Sequence, residues 1–361
     1  MLLPVILGSD KCILTGHTGD CHAWPVYMLI ANIWCCIQNK PSHHAWMLVG
    51  LLPITKFPNT HFNGRTQASK MPGLLKWLLF HQCMRCILRP LWVENQLLRH
   101  GIDVDGAQHD FFIILLAWLA NLEEQWLIAA LSQTCCPRCV ATEHEFGTHT
   151  SFERRSGESI IAALAELQRT WRDANFYWFT GKAIEAGYMG IEPTDICWEG
   201  FGVDICQVIS VDMVHGLHKF VHNHVLLWIQ RTIGEAALDQ HLQAQIYCSG
   251  RCVFKLGVLK LTQMARRENW ELEHHLLVAI ASAEDNEGES LDPCFFVAIQ
   301  ALMDFVWCAL IKCEQGDVLN SICICVLVLT PFPPVTYPEA SWSHKGVLGW
   351  WLLLGMQDCA T

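Results

Sequence analysis

The chain has 361 residues, of which 52% are hydrophobic and 16% charged, and a formal net charge of −11 at pH 7. That length holds two or three domains around substantial cores, and the composition is globular, on the apolar side for a soluble protein. The acidic balance argues against a stand-alone nucleic-acid binder, which shows a basic footprint; no apolar run reaches the ~18 residues of a membrane span, and residues 1–8 lack the basic flank and length of a signal peptide.

Residues 2–10 (LLPVILGSD) read as a buried strand running out to Asp10. A polar turn leads to a second strand at 25–33 (PVYMLIANI), and 45–54 (AWMLVGLLPI) reads as a third. Three consecutive strands with polar connections suggest an antiparallel meander. Residues 55–73, with Pro58, Asn59, Asn63, Gly64, Pro72 and Gly73, read as a loop. From Leu74 to about Arg99 the pattern is helical, with Leu79, Cys83, Ile87 and Leu91 at spacing four and a kink at Pro90. Residues 101–110 (GIDVDGAQHD) read as a polar turn before a fourth strand at 111–120.

Beyond Cys139 the chain turns mostly helical. Ile160, Ile161, Leu164, Leu167 and Trp171 make one apolar face. A Gly/Pro-containing connector at 187–202 precedes a helix at about 212–231, whose buried side is Val214, Leu217, Val221, Val225 and Trp228. Further helices are expected at 234–243, 270–283 and 294–313, with an acidic solvated loop at 284–289. Residues 331–361 are rich in proline at first and then apolar, and read as a poorly specified tail. Strands, a helix, a strand and then helices imply an α/β (α+β mixed) fold around a mixed sheet, with a largely helical insertion and C-terminal part. The expected division is 1–135 for the sheet and first helix, 136–210 for an insertion carrying two cysteines, 211–330 for a helical remainder, and 331–361 for the tail.

The stretch 111–139 is where the chain is organised. An apolar strand stops at the polar Asn121, a Glu-rich helix start follows, and the segment closes on Cys136-Pro137-Arg138-Cys139. Asp10 stands at the end of the first strand, Asn121 at the end of the fourth, and Asp212-Met213-Val214-His215 at a helix start. Carboxylates brought together from separate elements are what two-metal phosphoryl transfer requires, to hold cations about 3.5–4 Å apart. On residue type alone Asp10 reads first as a turn residue and Asp212 as a helix N-cap. Cys136 and Cys139 have the spacing of half a zinc site, which four ligands complete, with His144, His149, His215 and His218 as candidates for the rest. The pair reads equally as two unliganded cysteines in a tight turn. Nineteen cysteines, odd in number and irregularly spaced, indicate a reduced, intracellular protein in which most are small buried apolar residues. His218 and Lys219 are placed to face DNA phosphate, or simply lie on a solvated helix face.

Several segments together carry a family resemblance: LPVILGSDK and the run through LTGHTGDCHAWPVYMLIANI, then KPSHHAWMLVGLLPITKF, LFHQCMRCILRPL, GIDVDGAQHDFFIILLAWLANLEEQ, CCPRC, DICQVISVDMVHGLHKFVHNHVLLW, GEAALDQ and VFKLGVLKLTQMARRE. In collinear order over about residues 2–313, they resemble the core of fungal Plavaka-type transposases, which belong with the Kyakuja-Dileera-Zisupton and CACTA-like cut-and-paste DNA transposons. The resemblance implies an RNase H-like core with an acidic triad and helical insertions, working on DNA in the nucleus with Mg²⁺ or Mn²⁺. It implies hydrolysis of phosphodiesters at transposon ends and strand transfer by the freed 3′-hydroxyl. The first acidic residue falls on Asp10, the Asp-x-x-His element on Asp212 and His215, and the last acidic residue on Glu268; Asp10 and Glu268 would hold the metals. The resemblance also supports a Zn²⁺-bound insertion near Cys136 and Cys139.

One departure carries a physical consequence. The family's second acidic residue belongs to a segment like Ala-Asp-Tyr-Pro-Glu-Gln, which here reads Ala120-Asn121-Leu122-Glu123-Glu124-Gln125. An amide oxygen brings no negative charge and does not bridge two hard cations as a carboxylate does. This copy is therefore expected to be truncated, degenerate and impaired as a nuclease. Glu123 would replace the lost charge only if the strand persisted past Asn121, so that both pointed to one face. The chain begins almost at the first strand, so terminal-repeat recognition is expected to be missing and DNA binding weak or lost; a homo-oligomer is open to it. The alternative is a non-catalytic, zinc-stabilised module that associates with DNA or protein.

Overall fold

A computed structural model describes residues 1–314 apart from 15–20, 39, 59–63, 95–97, 104, 147, 149, 171–175, 200–201, 212–216, 247–253, 260, 262–265, 282 and 287. The described chain divides into two compact units. The first is Met1–Val211, and the second takes up the remainder.

The first unit is built on a mixed sheet. Its strands are β1 (Leu2–Ser9), β4 (Pro25–Ile30), β5 (Met47–Leu51), β6 (Arg99–Ile102), β7 (Gln108–Ala120) and β8 (Ile209–Val211), while β2 (Cys12–Ile13) and β3 (His22–Ala23) form a separate small ribbon. β5 pairs with β4 and β4 with β1, all antiparallel, whereas β7 runs parallel to β1 and β8 parallel to β7. Alternation along β1 buries Val5, Leu7 and Ser9 on one face, the period-two pattern of a strand. Trp118 of β7 is fully buried and donates its indole N–H to Ser9 Oγ at 3.1 Å. The β1–β7 register shifts once. Val5 faces Leu115 and Ile6 faces Ala117, so Leu116 is one residue more than β1 pairs, and Gly8 then faces Leu119. Carried two residues on, that register sets Asp10 opposite Asn121.

The helices of this unit are α1 (Cys35–Gln38), α2 (Arg65–Glu94), α3 (Leu122–Ala129), α4 (Gly157–Thr170), α5 (Phe176–Glu185) and the single turn α6 (Ile205–Val208). The loop expected at 55–73 is in its second half helix, since α2 begins at Arg65 and continues through both Pro72 and Pro90. Burial of Leu74, Phe80, His81, Met84 and Leu88 offsets what each proline removes. That face is turned one position from the expected one: Leu79, Cys83, Ile87 and Leu91 are only half-buried. α2 lies against the sheet, with Phe80 tilted on Trp24 and Ile87 so close to Gly50 that a Cβ there would sit 2.6 Å from it. The turn expected at 101–110 is instead a hairpin, because β6 pairs with the start of β7. Asp103 accepts from the amides of Asp105 and Ala107, and Gly106 takes φ 82°, so the reversal is tight. α5 lies in the stretch beyond Cys139 that reads as mostly helical, between the apolar face at 160–171 and the connector at 187–202.

The second unit is helical: α7 (Leu226–Ile233), α8 (Glu235–Gln243), α9 (Arg266–Ile280) and α10 (Pro293–Glu314), with a π-helical turn at Val221–Val225 leading into α7. Its core gathers Val225, Ile229, Leu238, Leu272, Leu276, Ile299 and Met303. Residues 331–361, read as a tail, lie outside the described residues. No helix among the described residues is long and apolar enough to cross a membrane.

Candidate functional site

Two of the sequence-predicted site residues meet. Asp10 follows β1 and Asn121 follows β7, both half-buried, and Asn121 Nδ2 donates to Asp10 Oδ1 at 3.0 Å. Asn121 is also the N-cap of α3: its Oδ1 accepts from the Glu124 amide at 3.0 Å, with extended backbone at φ −68° and ψ 165°. The Glu124 amide can only donate, so it fixes the amide oxygen of Asn121 toward itself and turns the NH2 toward Asp10.

Around this corner, Glu124 is buried and accepts from Trp24 Nε1, and Gln125 Nε2 donates to Ala120 O at 2.9 Å. Glu123 sits in the first turn of α3, because β7 ends at Ala120 and the helix begins at Leu122. The persisting strand on which its rescue depended is therefore absent, for the simple reason that Asn121 caps a helix. Glu268 lies in the first turn of α9, half-buried, in the second unit. Asp212 and His215 lie outside the described residues.

The donor set at the corner is one carboxylate and one amide whose N–H points at it. Cations need lone pairs, and here an oxygen of Asp10 facing Asn121 is taken by a hydrogen. The two residues in this arrangement do not fit a site for a pair of Mg²⁺ or Mn²⁺ ions.

The Cys-Pro-Arg-Cys turn packs into the same unit, with Cys136 and Cys139 both buried. The Arg138 amide donates to Cys136 Sγ at 3.4 Å. A hydrogen bond from the Cys139 thiol pulls the Cys136 thiol down to about 6 against its burial, with the Arg138 amide and the Arg155 charge adding to the effect. That same bond, with burial, pushes Cys139 up. Arg155 Nε donates to the carbonyls of Cys136 and Cys139 at 2.9 and 3.0 Å, and Trp126 of α3 donates to Cys135 O at 2.8 Å. Arg138 Nη1 reaches three carbonyls, those of Cys206, Gln207 and Ile209, each at 3.0 Å. Sequence reasoning missed both arginines, since no spacing rule reports backbone carbonyls as partners, 16 and 19 residues from Arg155 and some seventy from Arg138.

Among the described residues, no three His, Cys, Asp or Glu side chains gather to hold a metal ion. Of the histidines considered for zinc, His144 is exposed beside Glu143, and His149 and His215 lie outside the described residues. His218, in the second unit, is neither on a solvated face nor turned to phosphate. It is 1% exposed and pairs with the equally buried Glu273, Nδ1 to Oε1 at 2.8 Å. Lys219 beside it is exposed.

A family model described as Plavaka transposase matches residues 1–229, well over half of the chain. The chain belongs to the Plavaka transposase family. In this Plavaka chain the match takes in the sheet, the Asp10–Asn121 corner and the Cys-Pro-Arg-Cys turn, while Glu268 lies beyond it. No curated protein matches the chain.

Proposed function

We propose that this chain is a transposase-derived protein with an RNase H-like core, in which metal-dependent cleavage of DNA is disabled by Asn121. The reading rests on one observation, the 3.0 Å hydrogen bond between Asn121 Nδ2 and Asp10 Oδ1. The mixed sheet supports it, since two parallel neighbours deliver polar side chains side by side at their ends. With aspartate at both positions, two carboxylates at that distance repel and draw in a divalent cation. With asparagine, the repulsion becomes a hydrogen bond and the cation loses its charge partner. Ancestrally, Asp10 would have helped to hold the metals; no cleavage step is assigned to the chain as it stands. Association with DNA in the nucleus goes with the family, weakened here by the net charge of −11.

The experiment is nicking of supercoiled DNA in Mg²⁺ or Mn²⁺ by the wild type and by Asn121→Asp. The expected result is cleavage by the aspartate form alone. Equal cleavage by the wild type would overturn the impairment. Cleavage by neither would favour the second reading, a non-catalytic zinc-stabilised module, which the spacing of the two buried cysteines and the amide hydrogen bond to Cys136 Sγ support. Zinc content unchanged by Cys136→Ser would remove that reading.

A further inference from the structure

We infer that Arg138 is a positioning residue for the corner formed by Asp10 and Asn121. The inference rests on the reading of that corner as the ancestral acidic site. Arg138 lies inside the cysteine turn, but its guanidinium leaves the turn. A single nitrogen, Nη1, donates to the carbonyls of Cys206, Gln207 and Ile209, all at 3.0 Å. The first two carbonyls belong to α6, a single turn whose last carbonyls have no partner further along a helix. The third belongs to the first residue of β8.

β8 has three residues and pairs on β7 at Trp118, Leu119 and Ala120, the three that lead directly into Asn121. Three ladder pairs put it at the short end of strand lengths. The clamp adds to what the ladder supplies. It ties the start of β8 to a turn that is itself fastened to α3 through Trp126 and Cys135, and to its own neighbours through Arg155. The end of β7 and helix α3 flank Asn121 on both sides; β8 on the one and Trp126 in the middle of the other are fastened to this one turn. β8 also runs straight on into Asp212 in sequence.

The charge is kept in place by its surroundings. Burial pulls the Arg138 guanidinium below its ordinary value, and Cys136, Cys206 and Asp204 oppose that pull; the Asp204 carboxylate is itself fixed by the amides of Cys206 and Gly157 at 3.1 and 2.8 Å. The acceptor arrangement is unusual for arginine: three carbonyls converge on one nitrogen that carries two hydrogens. An ammonium group, with three hydrogens on one nitrogen, suits it as well. Arg138→Lys therefore keeps the clamp and Arg138→Met removes it.

The test is hydrogen exchange on the full chain, read at the amides of β8, at the end of β7 and at the Asn121 side-chain amide, with the amides of the second unit as the reference. In Arg138→Met, exchange at β8 and at the Asn121 side chain is expected to speed up by at least about tenfold, the worth of one charge-assisted hydrogen bond. The second unit is expected to be unchanged, and Arg138→Lys to match the wild type. Faster exchange at β8 with the Asn121 amide unmoved would overturn the inference, as would equal loosening of every region. Should the methionine form fail to fold, the lysine form decides alone, and loss of β8 protection in it would overturn the inference. A Mg²⁺ titration of Asn121→Asp separates the two readings. No Mg²⁺ binding there would retire the acidic site, whereas the exchange pattern judges the clamp without any metal.

Discussion

The Asp10–Asn121 corner and the Cys136–Cys139 turn place polar pairs in the same apolar unit and treat charge in opposite ways. At the corner a carboxylate faces an amide, and the amide is used twice, once to cap α3 and once to meet Asp10. At the turn the Cys136 thiol is pulled down by a neighbouring thiol, a backbone amide and the charge of Arg155. A site built to take cations from solution has no internal counter-charge, so one substitution can silence it without harm to the fold. A site wired to the buried Arg155 and the half-buried Arg138 is bound into the packing and resists such change.

The sharpest way to break this comparison is to restore the acid. Asn121→Asp is expected to raise metal-dependent nicking by well over the roughly 10–100-fold that a lost partner of a metal ligand costs. Without Mg²⁺ it should melt roughly 2–4 °C lower, the shift of about 1 kcal/mol in a domain of this size, and recover when Mg²⁺ is added. If the corner tolerates a second carboxylate with no such dependence, the contrast with the turn falls.

The turn is expected to give the next largest effect. Arg155 is buried, and Arg155→Met leaves the carbonyls of Cys136 and Cys139 unmet. The loss is on the order of 3 kcal/mol in urea unfolding. A value near zero would mean that the turn is no more wired than the corner.

His81 extends the comparison to a buried group with no charge partner. It is fully buried on α2, its Nδ1 accepts from the Cys197 amide at 3.2 Å, and burial pulls it down to about 3. The unfolded chain therefore takes up the proton first, near the ordinary histidine value of 6.5. Stability from this group is full above pH 6.5 and is lost as the pH falls toward 3, on the order of 2 kcal/mol by pH 5. His81→Gln should flatten that limb of a stability–pH curve. At the bottom of the scale, the Glu166–Arg169 pair on α4 is exposed to solvent, and Glu166→Ala should leave the melting temperature unchanged. A shift there would mean that surface charge matters more in this chain than either buried pair suggests.

How much of this was legible follows from what kind of signal each feature leaves. β1 and β7 are apolar runs that end on polar residues, so the strands and the nearness of Asp10 to Asn121 could be read from residues 2–10 and 111–121. The phase of α2 could not, because Leu74, Phe80, Met84 and Leu88 are selected by the sheet beneath them and the prolines hide the helix start. The β6–β7 hairpin was masked by its polarity. His100 pairs with Asp110, and His109 with Asp103, so charged residues do across the strands what apolar ones usually do. The reach of Arg138 leaves no trace in the sequence, since its acceptors are backbone carbonyls and any residue supplies those.

The extra residue at Leu116 gives β7 one link of slack. A lineage that lost Leu116 would straighten the strand and still bring Asn121 level with Asp10, whereas a codon lost between Ala117 and Ala120 would slide the two past each other as long as the bulge at Leu116 persists. Tolerance to changes in chain length along this strand is thus confined to one address, upstream of the residues that frame the corner.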